Sequence, residues 1–166
     1  MKSIKFVAIA IFSVILTFCS NKNENQVFTE AQNLIASEKY DEAVIKFEEV
    51  VNEFPKSAKA DSSLFEVAKL YQGQVIKNLR PKESLKKAVE TYKKVFADYP
   101  NSKLAESSIF MAGFILANEL KEFKEAGKMY NLYIQKYPNG ELADDAKIEL
   151  QNLGKSPEEI LSHKSI

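Results

Sequence analysis

The chain offers almost nothing for covalent or acid–base catalysis. Its one cysteine, Cys19, and its one histidine, His163, lie near opposite ends of 166 residues. A working nucleophile instead needs a base within hydrogen-bond reach. The acid pairs Glu48-Glu49 and Asp144-Asp145 are sequence neighbours that diverge on a helix, the wrong geometry for a shared proton. There is no glycine-rich phosphate loop, nor the ligand spacing of a metal site. The expectation is a protein that is not an enzyme and uses neither cofactor nor metal. What remains are side chains that recognise rather than react. Phe28, Phe65, Phe110 and Ile148 recur three residues before Ala31, Ala68, Gly113 and Gln151, as an apolar ladder would.

The elements that position this ladder announce themselves by repetition. The phrases Ala43, Phe47, Val50, Phe54-Pro55, then Ala88, Tyr92, Val95, Tyr99-Pro100, then Ala126, Tyr130, Tyr133, Tyr137-Pro138 step by four and three, which puts their first three members on one helical face. The proline, without an N–H and restricting the residue before it, closes each helix. Intervals of 45 residues from Pro55 to Pro100 and 38 from Pro100 to Pro138 suit stacked helical hairpins and are too long for leucine-rich repeats. The spacing predicts helices over 25–37, 40–54, 57–77, 83–98, 102–119, 122–137 and 140–153. Ser57 and Ser102 are placed to cap the helices after two of the prolines, with Gly140 in that place in the last copy. Ser156-Pro157-Glu158-Glu159 combines a capping serine, proline at the first helical position and the capping-box glutamate, which predicts a short last helix over Ile160 and Leu161.

Composition agrees with a packed repeat domain. Hydrophobic residues make up 45% of the chain, and basic and acidic residues number 23 each. That balance lacks the one-sided basic surplus that phosphate backbones require, so no nucleic-acid partner is expected. At the amino terminus Lys2 and Lys5 precede an apolar run from Phe6 to Phe18. The run has the length of an export signal's central segment and falls short of the roughly 20 residues of a membrane span. Residues 1–19 read as the signal, 20–25 as a polar tether, 26–154 as the repeat domain and 155–166 as a short terminal helix and tail.

Leu16-Thr17-Phe18-Cys19 resembles a bacterial lipoprotein signal, with Phe18 where that pattern has a small residue. The resemblance makes Cys19 the lipidated first residue of the mature protein. An uncleaved anchor, or cleavage after Cys19, stays open. The small residues Ala31, Ala68 and Gly113 in the first helices and Ala43, Ala88 and Ala126 in the second, with the aromatic and the terminal proline, resemble the tetratricopeptide repeat family. The aromatic-proline-x-serine junctions are most similar to repeats of bacterial envelope proteins, those of the BamD-type outer-membrane-assembly lipoproteins and the Tol-Pal-associated CpoB type. The resemblance implies an all-α, right-handed superhelix of three hairpins plus a carboxy-terminal capping helix. It also implies a tethered scaffold for envelope proteins, facing the periplasm from the outer membrane, in outer-membrane protein assembly or in Tol-Pal and cell-division complexes. A module capturing a peptide or peptidoglycan, and a structural oligomer, are the alternatives.

In such a superhelix the first helices line the concave face, so Phe28, Phe65, Phe110 and Phe114, with Lys69 on the rim, are the candidate partner-binding groove. The competing expectation is that these rings pack as core, as helical aromatic stripes commonly do. The longer first interval, around Gln74 to Pro81, reads as a longer first helix with a loop at its tip, or as a docking loop.

Overall fold

A computed structural model describes residues 22–162. Cys19, the leader and His163 lie outside the described residues. Among the described residues eight α-helices follow one another: α1 (Glu24–Ala36), α2 (Tyr40–Glu53), α3 (Ala60–Gln72), α4 (Pro81–Asp98), α5 (Lys103–Phe114), α6 (Phe123–Lys136), α7 (Ala143–Asn152) and α8 (Pro157–Ser162). No strand interrupts them among the described residues. Each of the first seven packs mainly on its chain neighbours, the nearest-neighbour order of a helical solenoid. The hairpins are α1–α2, α3–α4 and α5–α6, and α7 covers the last. The architecture is the tetratricopeptide type that the phrases predicted.

The repeated phrase forms the core. Ala43, Phe47, Val50, Ala88, Tyr92, Val95, Ala126, Tyr130 and Tyr133 are all buried, one stripe per second helix. The N–H of each aromatic residue before the proline still bonds back into its helix, from Phe54 to Val50, Tyr99 to Val95 and Tyr137 to Tyr133. The next residue, proline, has no N–H to continue the ladder. Two hairpin turns are closed by a residue in the left-handed region, Glu38 at φ 57° and Lys121 at φ 57°. α5 does not stop at Phe114 but runs into a π-turn, Ile115–Glu119, in which the Leu120 N–H reaches the Ile115 carbonyl at 3.0 Å.

α1 starts at Glu24, within the 20–25 expected as a tether, because Asn23 and Gln26 form a reciprocal capping box. Two expectations need correction. Ser57 does not cap α3 directly: its hydroxyl accepts from the Lys59 N–H at 3.2 Å in a turn, and the helix begins at Ala60. The long interval does not lengthen α3, which ends at Gln72. Part of the extra chain forms the connection 73–80, and part extends α4, whose 18 residues compare with 14 in α2 and α6. Pro81 opens α4 rather than closing α3, its fixed φ and missing N–H suiting the first helical position. Ser102 does cap α5, accepting from the Leu104 N–H at 3.0 Å, and its hydroxyl donates to Asp61 across the repeat junction at 2.5 Å. The Ser156–Glu159 box forms at α8, with the Ser156 N–H on the Glu159 carboxylate at 2.7 Å.

Candidate functional site

The first-helix phenylalanines make one geometry three times. Phe28 meets Phe47 edge-on at 5.4 Å between ring centroids, Phe65 meets Tyr92 at 5.3 Å, and Phe110 meets Tyr130 at 5.7 Å and Tyr133 at 6.0 Å. Such T-shaped pairs contribute about 0.5–1.5 kcal/mol each beyond the area they bury. They can form because the next residue on the same face is small: Ala31, Ala68 and Gly113 are fully buried or nearly so, and a Cβ on Gly113 would lie 2.9 Å from the Tyr130 ring.

The rings nevertheless differ in what they offer outward. Phe28 is taken into the core, with the Lys59 ammonium 4.8 Å over its ring, so it lines no open face. Phe65, Phe110 and Phe114 are half-buried, with the inner edges of Phe65 and Phe110 locked by tyrosines. Ile148 is 54% exposed. Lys69 is exposed and held by Glu66, its neighbour on α3, at 2.9 Å. The structure thus keeps Phe65, Lys69, Phe110 and Phe114 at the surface of adjacent first helices and withdraws Phe28.

Beneath the rings, the tyrosine hydroxyls are treated unequally. Tyr92 donates to the Gln72 side chain at 2.7 Å, whereas the Tyr130 hydroxyl is buried with no hydrogen-bond partner. The residue at the Gln72 place in the next repeat is Ala117, which has nothing to accept with. Burial raises the Tyr92 and Tyr130 phenols above their ordinary range. Tyr133 donates to the Glu106 carboxylate and accepts from the Leu142 N–H at 2.9 Å, tying α6 to α5 and to the start of α7. Its phenol is pushed up to about 12, first by burial and then by Glu106. Gly140 belongs to this junction, since a Cβ there would lie 2.7 Å from the Tyr133 hydroxyl and closer still to Glu106.

One feature escaped the sequence reading. A cleft of 340 Å³ lies among Lys93, Phe96, Ala97, Ile109, Met129 and Leu132, where α4 and α6 converge over α5. Its apolar residues fall outside the repeated phrase, so only the spacing of the half-buried Phe96, Met129 and Leu132 could have signalled it. No group of three or more metal-ligating side chains occurs among the described residues, and no helix among them is long and apolar enough to cross a membrane.

Stacked hairpins joined by aromatic pairs over small residues define a tetratricopeptide-type repeat protein. Residues 20–156 match the profile of the YfiO family, described as outer membrane lipoprotein. The chain belongs to that family of BamD-like envelope proteins. No curated protein matches it.

Proposed function

We propose that the chain is an exported lipoprotein, acylated at Cys19 and facing the periplasm from the outer membrane. There it acts as a non-catalytic scaffold that binds other envelope proteins through its first-helix face. The observation that carries this reading is the row of half-buried rings, Phe65, Phe110 and Phe114, presented from packed helices with Lys69 beside them. Rigid aromatic anchors with a polar rim are the ordinary makings of a protein-binding surface. Membership in an outer membrane lipoprotein family supports the anchor. Two or more acyl chains hold a protein stably where one does not, and confinement to a membrane raises the effective concentration of partners there. Outer-membrane protein assembly, or Tol-Pal and cell-division complexes, are the settings this reading favours.

The test separates recognition from folding. Phe110 is wedged against two buried tyrosines, so Phe110→Ser should lower the melting temperature strongly. No tyrosine is paired with Phe114, so Phe114→Ser should leave folding close to wild type while reducing capture of envelope proteins by crosslinking in the native envelope. Wild-type capture by a folded Phe114→Ser variant refutes the groove. Cys19→Ala should release the chain from membranes and change its gel mobility, and unchanged behaviour refutes the anchor.

A further inference from the structure

The exposed face of α1, like α5, carries little charge. α1 carries only two charged residues, Glu24 and Glu30, in its 13 positions, whereas α4 carries lysines, glutamates and an aspartate along its whole length. Gln26, Thr29, Asn33 and Ser37, with the charged Glu30 and Lys39, line a shallow concavity of 650 Å³ that begins at Asn23, the residue that caps α1 at the start of the fold; Lys39 is paired with Glu42 at 3.9 Å. Glu30 brings no net charge to this face, being paired with Lys22 at 4.0 Å and Lys46 at 3.4 Å. Lys22 also reaches Glu49 of α2 at 3.8 Å, so the chain is drawn onto the first hairpin before α1 begins.

We propose that this face is a lipid-headgroup contact surface, on which the first hairpin lies flat against the phospholipid layer that holds the anchor. The inference rests on acylation of Cys19, as argued above. Only three residues separate Cys19 from Asn23, a span of at most about 14 Å even when fully extended. α1 itself is about 20 Å long. The anchor therefore holds the start of α1 at the headgroups, and the surface beside it is polar, uncharged on balance and rich in amides that hydrogen-bond phosphate and ammonium groups. That chemistry fits a zwitterionic layer and predicts a contact indifferent to salt.

The experiment uses the full lipidated chain in vesicles of phosphatidylethanolamine and phosphatidylcholine that carry a headgroup nitroxide quencher. Acylation blocks the Cys19 thiol, so a fluorophore can be placed singly through Asn25→Cys, Asn33→Cys or Asp144→Cys, all at exposed positions. Asn25 and Asn33 are about 12 Å apart along α1, which separates a helix lying flat from one standing upright. The expected result is strong and similar quenching at Asn25 and Asn33, severalfold above that at Asp144 and unchanged by added salt. Quenching at Asn33 no greater than at Asp144 overturns the contact, whether or not Asn25 is quenched. Flotation with the vesicles reports the anchor separately. A chain left in solution overturns anchor and contact together, while a floating chain with an unquenched Asn33 label overturns only the contact.

Discussion

Gly113 is the tightest point in the stack, and replacing it by alanine gives a signed prediction. A Cβ there would stand 2.9, 3.1 and 3.2 Å from three atoms of the Tyr130 ring. That ring is fully buried and edge-packed by Phe110, so it has little room to yield. Overpacking of this kind costs about 1–3 kcal/mol, while removing a helix-interior glycine returns about 0.8–1.0 kcal/mol. The net expectation for Gly113→Ala is a loss of up to about 2 kcal/mol. At roughly 2–4 °C per kcal/mol for a domain near this size, the melting temperature should drop by up to about 8 °C. Gly127→Ala supplies the control on α6. Its Cβ would meet the end of the Leu153 side chain at 3.3 Å and Leu150 at 3.7 Å, flexible atoms that can shift, so the propensity gain should dominate and stability should rise by about 0.5–1 kcal/mol. Urea titrations of both variants, with the slope checked for constancy, provide the assay. A Gly113→Ala protein stabilised as much as Gly127→Ala would refute the close crossing of α5 and α6.

The two tyrosines at equivalent places should respond oppositely to loss of the hydroxyl. Tyr130→Phe removes a buried group without a partner and should stabilise by about 1 kcal/mol, whereas Tyr92→Phe strands Gln72 and should destabilise by a similar amount in the same denaturation assay. Ser102→Ala loses both the α5 cap and the bond to Asp61 and should cost about 1–2 kcal/mol. Ser57→Ala, which removes only a turn contact, should cost less, and equal losses would contradict the assignment. Burial holds Tyr92, Tyr130 and Tyr133 above the unfolded phenol, Tyr133 at about 12. Their neutral forms therefore stabilise the fold fully below about pH 10, and that contribution is lost as pH rises toward 12. The urea midpoint should fall across that window, and a flat midpoint would contradict the burial of these phenols.

The hairpins were legible because three copies of one phrase state the helical period, the small crossing residue and the stop. What the sequence hid was decided by contacts between distant segments. Ser57 and Ser102 follow prolines at the same distance, yet only Ser102 caps its helix, and only Ser102 has Asp61 opposite it. The early start of α1 was readable, since Asn23 followed by Gln26 at the third position is a capping-box pattern, but the surrounding asparagines and lysine masked it. The π-turn at Ile115–Glu119 had no local signal, because every residue there is compatible with an α-helix. At the candidate site the recurrence of Phe28, Phe65 and Phe110 was visible, but their division was not. Lys59 covers Phe28 from the next repeat, and no local pattern predicts which ring a neighbouring hairpin will close over.

Site-specific photocrosslinking in the native envelope tests the scaffold claim most directly. A photoreactive residue in place of Phe114, on the first-helix face, should give a discrete covalent adduct with an envelope protein, identified by mass spectrometry. One in place of exposed Glu90, on α4, should not. Adducts from Glu90 with none from Phe114 would contradict the account.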